Sequence, residues 1–169
     1  MTEKIGIIAF SFALTQDEVD KKLPNQCNKT LARITRVLAQ NIMETRNVPV
    51  VVLQWEIGLD HDMFARIGVL PDLVVEKHQK FGKYLDSEEI NAQATHLFKE
   101  HGVTKVISVA QWLQNFKCRA LLKKAGFEVL PVKIGKIGFC KESLQWWTRG
   151  PIRLVLYTIK QILFGHHGR

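Results

Sequence analysis

Five short apolar segments alternate with longer segments in which apolar residues recur every three or four positions. The apolar segments cover residues 5–13, 49–53, 73–75, 105–110 and 127–132. They are shorter than typical helices and lack the apolar–polar alternation of a strand with one face in water. Each is therefore predicted to be a strand, and strands of this composition are buried on both faces in parallel sheets.

The segments between the strands have the spacing of amphipathic helices. Residues 28–46 place their apolar side chains on one face, and Asn28 is the predicted N-cap of this helix. Residues 61–67 predict a shorter helix that ends at Gly68. Both segments separate one predicted strand from the next, so the connections between strands contain helices.

Two further helices are predicted in the second half of the chain. Asp86 and Glu89 have the spacing of a capping box, with aspartate in the cap position, so a helix is predicted to begin there. The same helix is predicted to end at His101-Gly102. Residues 116–125 predict the other helix, which also ends before a glycine.

The repeated order of strand, helix and strand determines the predicted fold class. Strands joined by helices through short connections have to run parallel, with the helices covering both faces of the sheet. The sequence therefore predicts an α/β fold: a three-layer Rossmann-like sandwich with a mainly parallel sheet of about five strands. A chain of 169 residues has the size of one domain, so residues 1–169 are predicted to form a single domain.

The net charge of +8 is concentrated at one end of the chain. Residues 133–169 contain seven Lys and Arg residues against Glu142 as the single acidic residue, which places +6 of the +8 in this segment. Such a local field attracts an anionic surface or ligand. Aromatic residues are not interleaved with these cations as in a stacking platform, so no specific nucleic-acid binding is predicted.

An amphipathic helix is predicted after Pro151, within this basic segment. One face carries only apolar residues, and Arg153 and Lys160 lie on another. The apolar residues are Ile152, Val155, Leu156, Ile159, Ile162 and Leu163. We expect the helix to pack this face on the sheet, as part of the single domain. The alternative is that it rests on an anionic membrane surface.

Cysteine content and hydropathy predict the cellular compartment. Cys27, Cys118 and Cys140 are odd in number and widely spaced, which fits neither a disulfide framework nor a zinc site. Residues 5–14 lack the cleavage pattern of a signal peptide, and no segment approaches the roughly 20 apolar residues of a transmembrane helix. We expect a cytoplasmic protein, with peripheral contact to the inner face of the membrane as the alternative that the basic helix raises.

Polar residues follow three of the predicted strands. Ser11 lies at the end of the first strand, Gln54 and Glu56 follow the second, and Gln111 follows the fourth. Ligands of open parallel sheets bind at the carboxyl ends of the strands, so these four residues are candidates for ligand binding. Glu56 has two interpretations, a surface carboxylate or a base with a raised pKa, and the surface interpretation is slightly favoured.

Several short motifs occur together in an order that is typical of one family. They are residues 33–38, 50–53, 84–89, 109–110 and 118–129. In this arrangement the chain resembles the uncharacterised-domain family that contains the YdcF, SanA and ElyC proteins. The resemblance implies a Rossmann-like fold with a small-molecule pocket at the strand ends. For one relative it also implies S-adenosylmethionine binding, and for others a role in the cell envelope.

The resemblance also implies four site residues. Arg33 matches the arginine of the family's first helix, Ser87 and Glu89 match a threonine and a glutamate at a helix start, and Arg119 matches the arginine after the fourth strand. Arginine suits an anionic group because its planar guanidinium binds carboxylate or phosphate with two hydrogen bonds. The alternatives are a solvated or ion-paired Arg33, and helix capping for the serine and the glutamate.

The chain departs from the family at two positions that bear on catalysis. The family usually has Ser-Gly-Gly after the second strand, where this chain has Gln54-Trp55-Glu56. Bulky and negatively charged side chains therefore replace a flexible turn that could approach a phosphate closely. Phe116 occupies the position of a histidine and cannot transfer a proton. Whether the protein is an enzyme is left open.

Metal-capable side chains occur at 60–62 and at His166-His167, but neither group has the spacing of a metal site, so no native metal is predicted. The predicted function is binding of a small anionic or nucleotide-like ligand, with S-adenosylmethionine as the cofactor that the resemblance implies. The alternative is a non-catalytic factor of the cell envelope or of regulation, whose basic C-terminal helix contacts a membrane.

Overall fold

Five parallel strands form the single sheet in the part of the chain that the computed structural model describes, residues 2–59, 64–66, 68–76 and 85–164. The strands are β1 (Lys4–Ala9), β2 (Val48–Gln54), β3 (Leu73–Val75), β4 (Lys105–Val109) and β5 (Glu128–Val129). Their order in the sheet is β3-β2-β1-β4-β5, and all four neighbouring pairs are parallel.

Six α-helices and one 3-10 helix accompany the sheet within the same described residues. The α-helices are α1 (Gln16–Asp20), α2 (Gln26–Glu44), α3 (Trp55–Gly58), α4 (Ser87–Glu100), α5 (Trp112–Lys124) and α6 (Pro151–Phe164). The 3-10 helix covers Trp146–Arg149. The short helices α1 and α3 follow β1 and β2 and were not predicted.

The helices cover both faces of the sheet. Ile7 of β1 packs in one hydrophobic cluster with Leu31 of α2. Ile8 points the other way and packs in a second cluster with Phe98 of α4 and Leu122 of α5. Successive strand residues are therefore buried on opposite faces, which explains why the strands are apolar throughout. The predicted α/β class and Rossmann-like sandwich are confirmed.

The first strand ends earlier than the 5–13 range that was predicted. β1 stops at Ala9, and residues 10–14 form a loop in which Ala13 has a φ of 73°. The Phe12 N–H donates to the Asn28 Oδ1 atom at 2.9 Å, and the Leu14 N–H donates to Ser143 Oγ at 3.2 Å. The Phe10 N–H still donates to the Val109 carbonyl oxygen of β4, but beyond it side chains from elsewhere in the chain accept from this backbone in place of a strand neighbour, so the predicted strand is too long.

Helix starts also differ from the predictions. Asn25, not Asn28, caps α2, because its side chain accepts the Asn28 N–H at 3.0 Å. Helix α5 begins at Trp112, four residues before the predicted start, since the Gln111 side chain caps it by accepting the Leu113 N–H at 2.9 Å. Glutamine is an uncommon cap, so the usual cap preferences do not indicate this start.

Helix α4 begins and ends as predicted. The Asp86 side chain accepts the Glu89 N–H at 2.8 Å, and Gly102 ends the helix with a φ of 69°. By contrast, β5 covers two residues where six were predicted for 127–132. The predicted helix at 61–67 includes residues outside the described ones, as do the histidine-containing segments 60–62 and 166–167.

The C-terminal helix does not pack its apolar face on the sheet. Ile152, Val155, Leu156 and Ile159 are exposed, whereas Leu154 on the opposite side is buried. The sheet face beside α6 is already covered by α2 and by apolar residues of the 130–140 segment. The packing that we expected for this face is therefore wrong for its four described residues.

Gly6 in β1 lies against a tightly packed aromatic pair. A Cβ atom at this position would lie 3.0 Å from Phe98 Cε1 and Cζ and 3.1 Å from Val103 Cγ1. Phe98 is fully buried and packs edge-on against Phe127, with ring centroids 5.8 Å apart. We expect Gly6→Ala to lower the free energy of unfolding in urea by about 1–3 kcal/mol, because the ring has to shift. Gly135→Ala is the control, since its added Cβ meets no atom within 4 Å; equal losses in both variants would contradict the prediction.

Candidate functional site

Three polar loops meet at the carboxyl edge of the sheet. Ala9 of β1 and Val109 of β4 are paired in neighbouring parallel strands. Ser11 lies two residues after Ala9, and Gln111 lies two residues after Val109. Gln54 ends the neighbouring strand β2. The chain runs outward from β1 through β2 to β3 on one side, and β4 and β5 lie on the other. Open parallel sheets place their ligand crevice where the strand order reverses in this way.

Hydrogen bonds connect the three loops. The Ser11 N–H donates to Gln54 Oε1 at 2.9 Å, and Gln54 Nε2 donates to Glu56 Oε1 at 3.2 Å. On the other side, Gln114 Nε2 of α5 donates to the Ser11 carbonyl oxygen at 3.3 Å. We call Ser11, Gln54, Glu56, Gln111 and Gln114 the rim cluster. Hydrogen bonds therefore link three predicted candidates and one further glutamine, and the fourth candidate, Gln111, follows β4 at the same edge of the sheet.

Glu56 is the ionisable member of the rim cluster. Its side chain is buried, with the residue only 4% exposed, so the favoured surface interpretation is wrong. Burial raises the pKa of the Glu56 carboxyl from 4.5 to about 8, and the nearby Glu18 carboxylate adds to the rise. Glu56 is therefore mostly protonated at neutral pH, when its carboxyl group can donate as well as accept a hydrogen bond.

Three buried polar atoms of the rim cluster have no hydrogen-bond partner among the described residues. They are Glu56 Oε2, Gln111 Nε2 and Gln114 Oε1. Buried polar groups are nearly always hydrogen-bonded in folded proteins, because an unmet bond costs about 1–3 kcal/mol. A protonated carboxyl, an amide donor and an amide acceptor at one strand edge can bind a ligand that carries both hydroxyl and amine groups.

A second buried carboxylate, Glu18 of α1, holds the loop after β1 in place. Its two oxygens accept five hydrogen bonds of 2.8–3.1 Å. The donors are the backbone N–H and side chain of Thr15, the backbone N–H and side chain of Asn25, and the side chain of Asn28. Both asparagines also donate to the Ala13 carbonyl oxygen. This network positions the loop that carries Ser11.

A cleft of about 340 Å³ lies at the same edge of the sheet, beyond β2 and β3. Its lining includes Trp55 directly after β2 and Glu76 directly after β3. Lys22 lies over the Trp55 ring, with Nζ 5.2 Å from the ring centroid, and Leu59 and Val74 supply apolar surface. An aromatic ring, a cation, a carboxylate and aliphatic walls suit a planar heterocycle.

The other predicted site residues lie on the long helices that cover the sheet. Ser87 is the first residue of α4, and its hydroxyl forms a hydrogen bond with the Cys118 thiol of α5. Burial raises the pKa of that thiol to about 12. Glu89 is buried in the first turn of α4, and Arg119 is half-buried on α5. These residues belong to the helix layer on one face of the sheet.

Arg33 lies in the opposite layer. It is exposed on α2, which covers the face of the sheet that α4 and α5 do not cover. The sheet therefore separates Arg33 from Ser87 and Arg119, and the structure does not gather the three side chains around one hollow. The expected pair of arginine clamps is absent from the rim cluster.

Sequence reasoning missed Gln114 and Glu18. Thr15 and Glu18 have the spacing of a capping box, and the structure forms both of its hydrogen bonds. That pattern would have revealed α1. Gln114 has no comparable local signal, because its partner Ser11 is 103 residues away in the chain.

Comparisons with known proteins leave the family resemblance as a prediction. No family model matches this chain, and no curated protein is significantly similar to it in sequence. Among the described residues, no three His, Cys, Asp or Glu side chains come together as a metal site would require.

Proposed function

We propose that this protein binds a small ligand with a nucleoside-like part at the rim cluster. The observation that carries the proposal is the set of three buried polar atoms without a partner in the described chain, Glu56 Oε2, Gln111 Nε2 and Gln114 Oε1. Hydrogen bonds link Glu56 and Gln114 through Gln54 and Ser11, and Gln111 follows β4 at the same edge of the sheet. Ligand groups that complete these hydrogen bonds would remove the cost of leaving them unmet.

The position of Glu56 favours a ribose. In dinucleotide-binding Rossmann folds, an acidic residue near the end of the second strand bonds the ribose hydroxyls, and Glu56 lies two residues after β2. The neighbouring cleft, with Trp55 and Lys22, offers a stacking surface for a base.

The loop after β1 argues against a phosphate at the rim cluster. Residues 10–15 contain no glycine, and Phe10 and Phe12 of this loop are buried. A close approach of backbone N–H groups to a phosphate requires a glycine-rich turn at this point. We therefore favour a ligand that meets the rim cluster with uncharged groups. S-adenosylmethionine, which the family resemblance implies for one relative, satisfies this requirement because it contains a nucleoside without phosphate.

A calorimetric titration tests the proposal with adenosine, S-adenosylmethionine, ATP and a sugar phosphate. We expect the phosphate-free nucleosides to bind and Gln111→Met to weaken binding by at least about tenfold, because the free amide donor is removed. The matched control is Gln40→Met, which changes an exposed glutamine of α2 and should leave the affinity unchanged. Preferred binding of the phosphates, or equal affinities for both variants, would contradict the proposal.

Two arginine variants separate this site from the arginine clamps that the sequence predicted. Arg33→Ala and Arg119→Ala are expected to leave the affinity for nucleosides unchanged, since neither residue belongs to the rim cluster. A loss of binding in Arg119→Ala with normal binding in Gln111→Met would move the site to the α4–α5 layer. Near-ultraviolet circular dichroism of each variant confirms that the fold is retained.

A further inference from the structure

Helix α6 presents an apolar face to solvent. Ile152 is 76% exposed and Leu156 is 55% exposed, and Val155 and Ile159 are exposed beside them. The spacing 152, 155, 156 and 159 places these four side chains on one face of the helix. Leu154, at 5% exposure, lies on the other side. The helix is therefore amphipathic with its apolar face directed outward, the reverse of a helix that covers a core.

The body of the protein holds α6 firmly in this orientation. The Tyr157 ring stacks on Trp147 with centroids 4.4 Å apart and an interplanar angle of 9°, and Leu154 packs in the hydrophobic core. In the 3-10 helix that precedes α6, the buried Thr148 hydroxyl donates to Ser143 Oγ at 2.8 Å, and the Ser143 hydroxyl forms hydrogen bonds with the backbone of Leu14. The exposed face thus belongs to an anchored helix.

Basic side chains lie at one edge of the apolar face and in the segment that precedes the helix. Arg153 and Lys160 are exposed on α6 itself, at one edge of the face by helical spacing. Lys133, Lys136, Lys141 and Arg149 of the preceding segment are also exposed, and Glu142 is the single acidic residue of 133–169. Trp146, whose ring packs edge-on against Tyr157 of α6, is 42% exposed, and Leu144 of the preceding segment is 41% exposed. Tryptophan next to cations and aliphatic residues is typical of surfaces that lie at a lipid interface.

We propose that α6 docks the protein on an anionic membrane surface. The apolar face would enter the boundary between headgroups and acyl chains, and the cations would contact the acidic headgroups. A second copy of this chain is a poorer occupant, because pairing two such faces brings like charges together. No helix in the described ranges is long and apolar enough to cross a membrane, so α6 would lie along the surface.

Vesicle co-sedimentation of the full chain tests this proposal. We expect binding to phosphatidylcholine vesicles that contain phosphatidylserine, and little binding to phosphatidylcholine alone. The double substitution Ile152→Ser and Ile159→Ser should weaken binding by at least about tenfold, because apolar surface drives insertion. Both positions are exposed, so the fold should be retained. The matched control is Val37→Ser with Phe116→Ser, two exposed apolar residues on α2 and α5, which should bind as the wild type does.

A charge variant and a sedimentation measurement complete the test. Arg153→Gln with Lys160→Gln should weaken binding and reduce its dependence on ionic strength, whereas Lys29→Gln with Lys99→Gln on other helices should not. Absence of binding to the anionic vesicles would overturn the proposal. The alternative outcome is a protein that does not bind vesicles but forms a dimer in analytical ultracentrifugation. If the Ile152→Ser and Ile159→Ser substitutions abolish that dimer, the apolar face binds a second copy of the chain instead.

Discussion

Replacing Glu56 with glutamine is expected to raise the free energy of unfolding at pH 8 by about 4 kcal/mol relative to the wild type. The wild-type carboxyl has a pKa near 8 in the folded protein against an ordinary value of 4.5, because it is buried. Glutamine has nearly the same shape as the protonated acid and keeps an oxygen that accepts from Gln54 Nε2, but it cannot ionise.

The sign of the pH dependence follows from proton binding. Between pH 4.5 and 8 the unfolded chain has released the Glu56 proton and the folded protein still holds it, so wild-type stability falls as the pH rises. Urea unfolding at several pH values should show the difference between the two free energies of unfolding growing by about 1.4 kcal/mol per pH unit in this window. Above pH 8 the difference should stay constant. Glu44→Gln, at an exposed carboxylate ending α2, should follow the wild type at every pH. If the Glu56→Gln curve runs parallel to the wild type below pH 8, the pKa assignment is wrong.

Glu18→Ala is expected to lower the free energy of unfolding by about 4 kcal/mol or more. The substitution leaves five donors from Thr15, Asn25 and Asn28 without their acceptor, and it opens a cavity at a fully buried position. Each buried donor without a partner costs about 1–3 kcal/mol, and water entering the cavity recovers part of that cost. Urea unfolding at neutral pH measures the loss.

The control for Glu18 lies on the same helix. Asp20→Ala removes an exposed carboxylate of α1 and should change the free energy of unfolding by less than about 0.5 kcal/mol. A loss below about 1 kcal/mol for Glu18→Ala would show that the loop after β1 does not depend on this network. Because that loop carries Ser11, the same substitution should also abolish ligand binding at the rim cluster.

Local patterns predicted most of the fold. The apolar composition of β1, β2 and β4 indicated strands buried on both faces, and the intervening helices indicated parallel pairing. Helix α4 was predicted at both ends because its signals, Asp86 at the start and Gly102 at the end, are adjacent to the helix in sequence. The end of β1 and the start of α5 were misplaced because distant side chains or an uncommon cap determine them. The cap of α2 was misassigned because Asn25 and Asn28 both suit this position, and the structure uses Asn25.

The site was predicted in part. Ser11, Gln54, Glu56 and Gln111 follow from the rule that strand ends carry the ligand crevice, and the structure brings their loops to one edge. Arg33 and Arg119 came from the family resemblance, and the structure places their helices on opposite faces. Sequence spacing does not reveal the face to which a helix returns after each strand, so the two arginines could not be separated in advance.

Short-range chemistry decided the class of this fold, since hydrophobic periodicity and capping involve residues within one or two turns of each other. Contacts between distant parts of the chain decided which polar groups are buried and which hydrogen bonds they form. Glu56 is buried within the electrostatic influence of Glu18, and Ser11 forms hydrogen bonds with Gln54 and Gln114, which are 43 and 103 positions away in the chain. Helix α6 turns its apolar face outward because other segments already cover the sheet. Burial and hydrogen-bond partners depend on which surfaces meet in three dimensions, and this depends on the packing of the whole chain.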